Sequence, residues 1–479
     1  MVLNPQPAYK LDVNGWGPRA SVQWQVASGT VLNAGGGITT MLAPAGMEFV
    51  LAGVFPFIVS PSITALPSTP VPFSDAVNAL QLPPVYTTAG QLAFPNGRTT
   101  EVAPNTQLDV PRFQTDLAAL TPGHQAQPLA VFGTSPNLPN GYIENITAGI
   151  EQTFNDIVIT AAYVGTAAVH LPSAISPNGF SGASPQFAPF TQFDNNGNVV
   201  GGYGQELLMG TPSHSTYHAL QVSASKSSPR RGLGFQTSYT YGKSLDDSSA
   251  IVFSFTSPTG TVLQALPQDP RNPGADKGPS TFDIRQAFST SVIQLLPLQR
   301  VEFLQPLGKK VLQGWQILNI TTLTSGSPFS VYSGIQQTGA GSGGADRPDQ
   351  IAAPGFSTRR KVREDYFGQG ANNGQFFSIP INVAGGTGPN QGRFGTLGRN
   401  TFRGPDYYNI DMALIKDTTL GHHTGPEPTT LEFRAEFFNA FNLVTFGLPV
   451  NILHASGFGV INHTAGTSRQ IQLSLKLLF

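Results

Sequence analysis

The sequence predicts an all-β fold, an antiparallel transmembrane β-barrel present in part, and three observations predict it. Apolar side chains recur at every second residue in long runs. The connections between those runs alternate strictly between short and long, and charged residues are scarce. The alternation is clearest in the last strand, "SRQIQLSLKLLF" (468–479). There Ile471, Leu473, Leu475, Leu477 and Phe479 share one face, and Gln470, Gln472, Ser474 and Lys476 the other. A period of two belongs to a pleated strand with one apolar and one hydrated face, and no helix produces it.

Upstream the same pattern recurs. "TLEFRAEFFNAF" (430–441) sets Leu431, Phe433, Ala435, Phe437 and Phe441 against Glu432, Arg434 and Glu436. "YNIDMALIK" (408–416) sets Tyr408, Ile410, Met412 and Leu414 against Asn409, Asp411 and Ala413. "GLGFQTSYTYGKS" (232–244) sets Leu233, Phe235, Tyr239 and Tyr241 against Gly234, Gln236, Ser238 and Thr240. Less regular strands fall at 18–27, 30–39, 141–152, 155–166, 216–227, 281–296 and 311–325, which makes eleven in all. Most reach about the 9–11 residues that a tilted strand needs to cross a bilayer, against about 5–6 in soluble domains.

The connections fix an orientation. Short ones are "ASGT" (27–30), "QTFND" (152–156), "SSPRRG" (227–232), "LPLQRVEFLQPLGKK" (296–310) and "TLGHHTGPEPT" (419–429). Long ones cover about 40–140, 167–215, 245–280, 326–407 and 442–467. Outer-membrane barrels have short periplasmic turns and longer extracellular loops, so the last strand runs toward the periplasm. Tyr239, Tyr241, Tyr408, Phe437 and Phe441 then lie near outer strand ends, with Trp315 and Phe479 near inner ends. Two aromatic belts at the two interfaces are expected of such a barrel.

Composition agrees and excludes other classes. Charged residues make up 11% of the 479, with a formal net charge of −1, against roughly 25% charged in ordinary soluble domains. No bulk attraction to nucleic acid follows from that balance. There are 0 Cys, hence no disulfide, thiolate metal site or cysteine nucleophile. "FVLAGVFPFIV" (49–59), the longest apolar candidate, is too short for a spanning helix and contains Pro56. The amino terminus lacks a signal-peptide pattern. The odd strand count and a first strand that runs downward predict a carboxy-terminal fragment of a larger barrel, over 1–479.

Few residues suggest chemistry. Gly339, Gly341 and Gly344 satisfy G-x-G-x-x-G, but "ADRPDQ" follows in place of a helix. His422 and His423 are adjacent, with no third ligand near. Asp246, Asp247, Asp269, Asp276 and Asp283 offer oxygen ligands for calcium in an outer loop, or form turns. No nucleophile elbow appears. No catalytic, cofactor-binding or metal set is therefore expected. Asn409, Asp411, Glu432, Arg434 and Glu436 are expected to face the lumen from two neighbouring strands, hydrating it and pairing across the strands, or touching a solute or a plug.

Several stretches resemble one family, the Oar-like TonB-dependent transporters of acidobacterial type. They are "YHALQVSASKSSPRRGLGFQTSYTYGKSLDDSS" (217–249), "DPRNPGADKGPSTFDIRQAFSTSVIQLLP" (269–297), "GWQILNITTLTSGSPFSV" (314–331) and the closing run "GRFGTLGRNTFRGPDYYNIDMALIKD", "LEFRAEFFNAFNLVTFGLP" and "RQIQLSLKLLF". The resemblance implies a barrel of 22 strands, with plug, signal peptide and regulatory-like domain upstream of this piece. It implies outer-membrane uptake of a bulky nutrient, with TonB a partner only if a further N-terminal region is present. It also implies that the last strand, Ile471 to Phe479, is the signal read by the outer-membrane assembly machinery. The alternatives are a plugless surface barrel or adhesin and, third, a soluble carbohydrate-binding protein.

Overall fold

A computed structural model of the chain describes residues 12–13, 15–41, 84–94, 129–135, 137–178, 189–193, 199–227, 232–250, 267–335, 346–354, 363–368, 376–380, 393–421 and 429–479, with isolated positions between them. The Gly339–Gly344 run, His422–His423 and the 49–59 segment lie outside the described residues.

Eleven long strands form the wall: β1 (Arg19–Ala27), β2 (Thr30–Met41), β3 (Gly141–Phe154), β4 (Ile157–Asn178), β5 (Val199–Lys226), β6 (Leu233–Asp246), β7 (Gln286–Leu296), β8 (Trp315–Thr324), β9 (Tyr407–Gly421), β10 (Thr429–Phe438) and β11 (Gln470–Leu478). Each pairs antiparallel with the next in sequence order. The short turns bring alternate strands back beside the one before, and the longer loops join the remaining antiparallel neighbours. Gly29, at φ +78°, and Asn155, at φ +55°, occupy the left-handed conformation that two of these turns require. Among the described residues β1 and β11 are the edges of this path, and each has one strand neighbour.

Antiparallel partners stand on the same side of a sheet, so the registers sort the wall into two faces. One carries Val22 and Trp24, Leu32, Ile146 and Ile150, Ile159 and Tyr163, Leu220 and Val222, Tyr239 and Tyr241, Phe288 and Val292, Ile317 and Leu323, Ile410 to Leu414, Phe433 and Phe437, and Ile471 to Leu477. This is a continuous apolar surface, and among the described residues no second sheet covers it. Leu473 is 66% exposed and Phe433 36% exposed. A soluble sandwich would bury both. Hydrocarbon is the solvent in which such a face is stable.

The opposite face is mostly Ser, Thr, Asn, Gln and charged residues. An apolar strip interrupts it where Ile293 stands opposite Leu318 and Ser291 opposite Ile320. Hydration alone does not predict that strip.

Several boundaries differ from the sequence expectation. β4 and β5 extend through Asn178 and from Val199, so their ends project far beyond a bilayer's thickness. In the loop before β3, Leu129–Thr134 adds in parallel to the upper part of β5. β7 begins only at Gln286, because the preceding residues bond into the outer loops. β8 begins at Trp315, because 298–312 turn into short helices. Phe441 is not on a strand: β10 ends at Phe438, and Asn439 turns the chain at φ +47°.

Candidate functional site

Two groups of polar side chains stand out, one on the hydrated face and one among the long loops. On the hydrated face, register places Glu436 beside Ala413, Arg434 beside Ile415 and Glu432 beside Asp417. On the other side Lys476 faces Glu432 and Ser474 faces Arg434. The Arg434 guanidinium lies 3.4 Å from Glu432 Oε1 and 3.3 Å from Glu436 Oε1, and Lys476 Nζ lies 3.9 Å from Glu432 Oε1. Asp417 and Glu432 are like charges directly opposite each other, an arrangement that costs free energy unless cations intervene. Arg434 and Lys476 intervene. Buried atoms of this ladder, Asp417 Oδ1, Glu432 Oε1 and Arg434 Nε, have no hydrogen-bond partner among the described residues.

Asn409 and Asp411 share that face, but the structure gives them another task. Asn409 Nδ2 donates to Asp411 Oδ2 at 2.9 Å, and Asp411 Oδ1 accepts the Asn439 N–H at 2.8 Å. Asn439 in turn donates to the carbonyls of Leu443 and Thr467. These two residues therefore pin the start of the last outer loop. Of the five expected lumen residues, the structure brings Glu432, Arg434 and Glu436 together and leaves Asn409 and Asp411 apart from them. It adds Asp417, which the sequence reading did not assign to a face, and Lys476, which alternation set on the polar face of the last strand without singling it out.

The loop end holds the second group. Four of the acidic residues considered for calcium are engaged by an arginine of the chain itself, and the fifth, Asp247, lies against the His214 ring and accepts the His214 N–H. Asp246 pairs with Arg399, Asp276 with Arg347, Asp283 with Arg403 and Asp269 with Arg271. In the Asp246–Arg399 and Asp276–Arg347 pairs both side chains are buried. Arg399 also donates to the carbonyl of Asp276 and to Ser249 Oγ. Arg347 donates to the Leu397 carbonyl at 2.8 Å. A fully buried guanidinium is stable only when its donors are used in this way.

Beside these pairs the loops build an apolar core: Phe329, Val331, Tyr366, Phe367, Phe376, Phe377, Leu397, Phe402, Phe458 and Ile461. Phe367 stacks on Phe458 with centroids 5.0 Å apart and meets Phe377 edge-on at 5.5 Å. Offset and edge-on ring pairs are the favoured aromatic arrangements. Burial pushes the Tyr366 phenol from 10.0 up to about 12. The Arg393 guanidinium holds the Asp349 carboxyl below the usual carboxylate range. The described parts of the loops after β6, β8 and β10 thus fold together into one cap, riveted by Asp–Arg pairs. Among the described residues no group of three or more His, Asp or Glu has the arrangement of a metal site.

A single sheet with one lipid-compatible face, one hydrated face and a loop cap at one end defines the wall of an outer-membrane barrel. The chain belongs to the family described as outer membrane beta barrel domain, whose profile matches residues 3–472. Its place is the outer membrane. No curated protein matches it.

Solved structures with a similar course include the outer membrane transporter YddB from Escherichia coli, at 10% identity and a TM-score of 0.41, over 95% of this chain and 39% of that one. The siderophore receptor PirA from Acinetobacter baumannii matches at 8% identity and a TM-score of 0.37, over 96% and 40%. The FrpB iron transporter from Neisseria meningitidis matches at 10% identity and a TM-score of 0.37, over 96% and 38%. The chain spans about two fifths of the length of these proteins.

Proposed function

We propose that the chain forms part of the wall of an outer-membrane transporter that takes up a bulky nutrient, and that it performs no catalysis. The observation that carries this reading is the Glu432–Arg434–Glu436 ladder, with Asp417 and Lys476, on the face turned away from lipid. Charge held on that face serves a hydrated lumen or what passes along it. In hydrocarbon the same groups would be costly.

On this reading the chain is the carboxy-terminal part of an Oar-like barrel of about 22 strands. β1 and β11 then pair with further strands, because an unpaired edge in lipid costs several kcal/mol for each exposed backbone group. TonB is the energy-coupling partner when a region that contacts it belongs to the same protein. The apolar edge Ile471, Leu473, Leu475 and Leu477, with Phe479, is the part that the outer-membrane assembly machinery reads.

A second reading, a surface barrel or adhesin, is favoured by one observation: the long loops form a cap with its own core. Cells that express the natural full-length protein, compared with cells that lack it, separate the two. Mass spectrometry of the medium follows depletion of large solutes with and without a protonophore. Uptake that the protonophore abolishes is expected. Surface binding that ignores the protonophore, with nothing internalised, contradicts transport and supports the adhesin.

A further inference from the structure

The connection between β7 and β8 differs from the other short turns. It folds into three brief helical turns, Leu298–Arg300, Glu302–Leu307 and Lys309–Leu312. Its N–H groups are satisfied locally: Leu304 donates to Val301, Gly308 to Gln305 and Gln313 to Lys309. With the backbone satisfied, apolar side chains can be presented outward at little polar cost. They are: Phe303 is 82% exposed, Leu307 58% and Val311 51%. The charges beside them are Arg300, Lys309 and Lys310 against Glu302, an excess of cations in a chain whose net charge is −1.

Two bonds fix the side of the rim on which this segment lies. Trp315 Nε1 donates to the Val311 carbonyl at 2.7 Å, and Lys416 Nζ donates to the Gln313 carbonyl at 2.5 Å. Lys416 also sits 5.9 Å from the centroid of the Trp315 ring. Trp315 and Lys416 are register partners on the apolar, lipid-facing side of the wall. The end of the segment is therefore tied to the membrane side of the rim.

We propose that residues 298–312 lie on the phospholipid surface of the periplasmic leaflet and anchor this end of the barrel. Phe303, Leu307 and Val311 enter the boundary between headgroups and acyl chains. Arg300, Lys309 and Lys310 meet anionic phosphates. Interfacial helical segments of this composition bury their apolar side chains about 5–10 Å deep, and juxtamembrane cations add attraction to anionic lipid.

The absence of cysteine from the chain permits a direct test. Fluorophores are attached to Phe303→Cys, Leu307→Cys and Glu302→Cys in the full chain. Each is reconstituted into phosphatidylethanolamine vesicles with phosphatidylglycerol, containing lipid spin-labelled near the headgroup. The proposal expects loss of fluorescence at 303 and 307 and none at 302. Labels at 303 and 307 that report water overturn it. Labels that are shielded but insensitive to the lipid quencher also overturn it, because they report a protein contact. Lys309→Glu with Lys310→Glu is expected to shift the 303 label toward water, and an unchanged depth overturns the phosphate contact.

Discussion

Arg399 shows how much of the loop end depends on single side chains. Its guanidinium reaches the side chain and carbonyl of the buried Asp246, the carbonyl of the buried Asp276 and the half-buried Ser249 Oγ. Removal of one partner from a buried pair costs about 3–5 kcal/mol, because the other charge is left stranded. Arg399→Ala is therefore expected to speed exchange of the cap amides Tyr332 and Ser333, which donate to Asn451 and Asp346, by two or more orders of magnitude. The amides of β9 should not change. Cap rates equal to those of the parent would refute the role given to the pair. Tyr366 carries a second expectation. Its phenol donates to the Arg403 carbonyl, and burial raises it from 10.0 to about 12. The folded value lies above the free one, so the neutral phenol's contribution is complete below pH 10 and fades as pH rises through about 12. Burial raises the Tyr332 phenol as well, so an absorbance titration should show phenol components ionising above 10, of which Tyr366→Phe removes the one near 12. All phenols titrating together near 10 would show that the ring is not buried.

At the scale of elements, the strands were legible and the cap was not, for physical reasons. A strand declares itself through neighbours two residues apart, so β9, β10 and β11 could be placed with their faces, and Glu432, Arg434 and Glu436 fell where alternation put them. The cap depends on pairs such as Asp276–Arg347, Asp283–Arg403 and Asp246–Arg399, whose members are 71, 120 and 153 residues apart. No local period links them. The five aspartates were visible as oxygen ligands, but the partners of Asp246, Asp276 and Asp283 lie in another loop, in "ADRPDQ" and "GRFGTLGRNTFRG". The aromatics of "YF" and "FF" near 366 and 376 were a further signal, since a solvent-exposed loop has little use for adjacent rings. Phe441 was misplaced for a local reason: Asn439 reverses the chain, and alternation cannot detect a turn that preserves the apolar spacing. The helical connection between β7 and β8 was long for a periplasmic turn, and its length was the only sign that it does more than join two strands.

For the whole molecule, the account depends on which solvent meets each face. The chain is neither apolar nor highly charged, because each strand divides its residues between two environments and the average cancels. That division explains why hydrophobic residues are 39% of the sequence although a large surface is suited to lipid. It also explains why the described apolar core lies among the loops and not beneath the sheet. The most direct measurement uses nitroxides on single cysteines along β11, one at a time, in the protein reconstituted into bilayers. Collision with oxygen, which concentrates in hydrocarbon, is compared with collision with a water-soluble nickel chelate. The account predicts oxygen access at Ile471, Leu473 and Leu475 and chelate access at Gln472, Ser474 and Lys476, alternating residue by residue. Equal access at both sets, or the reverse order, would contradict it.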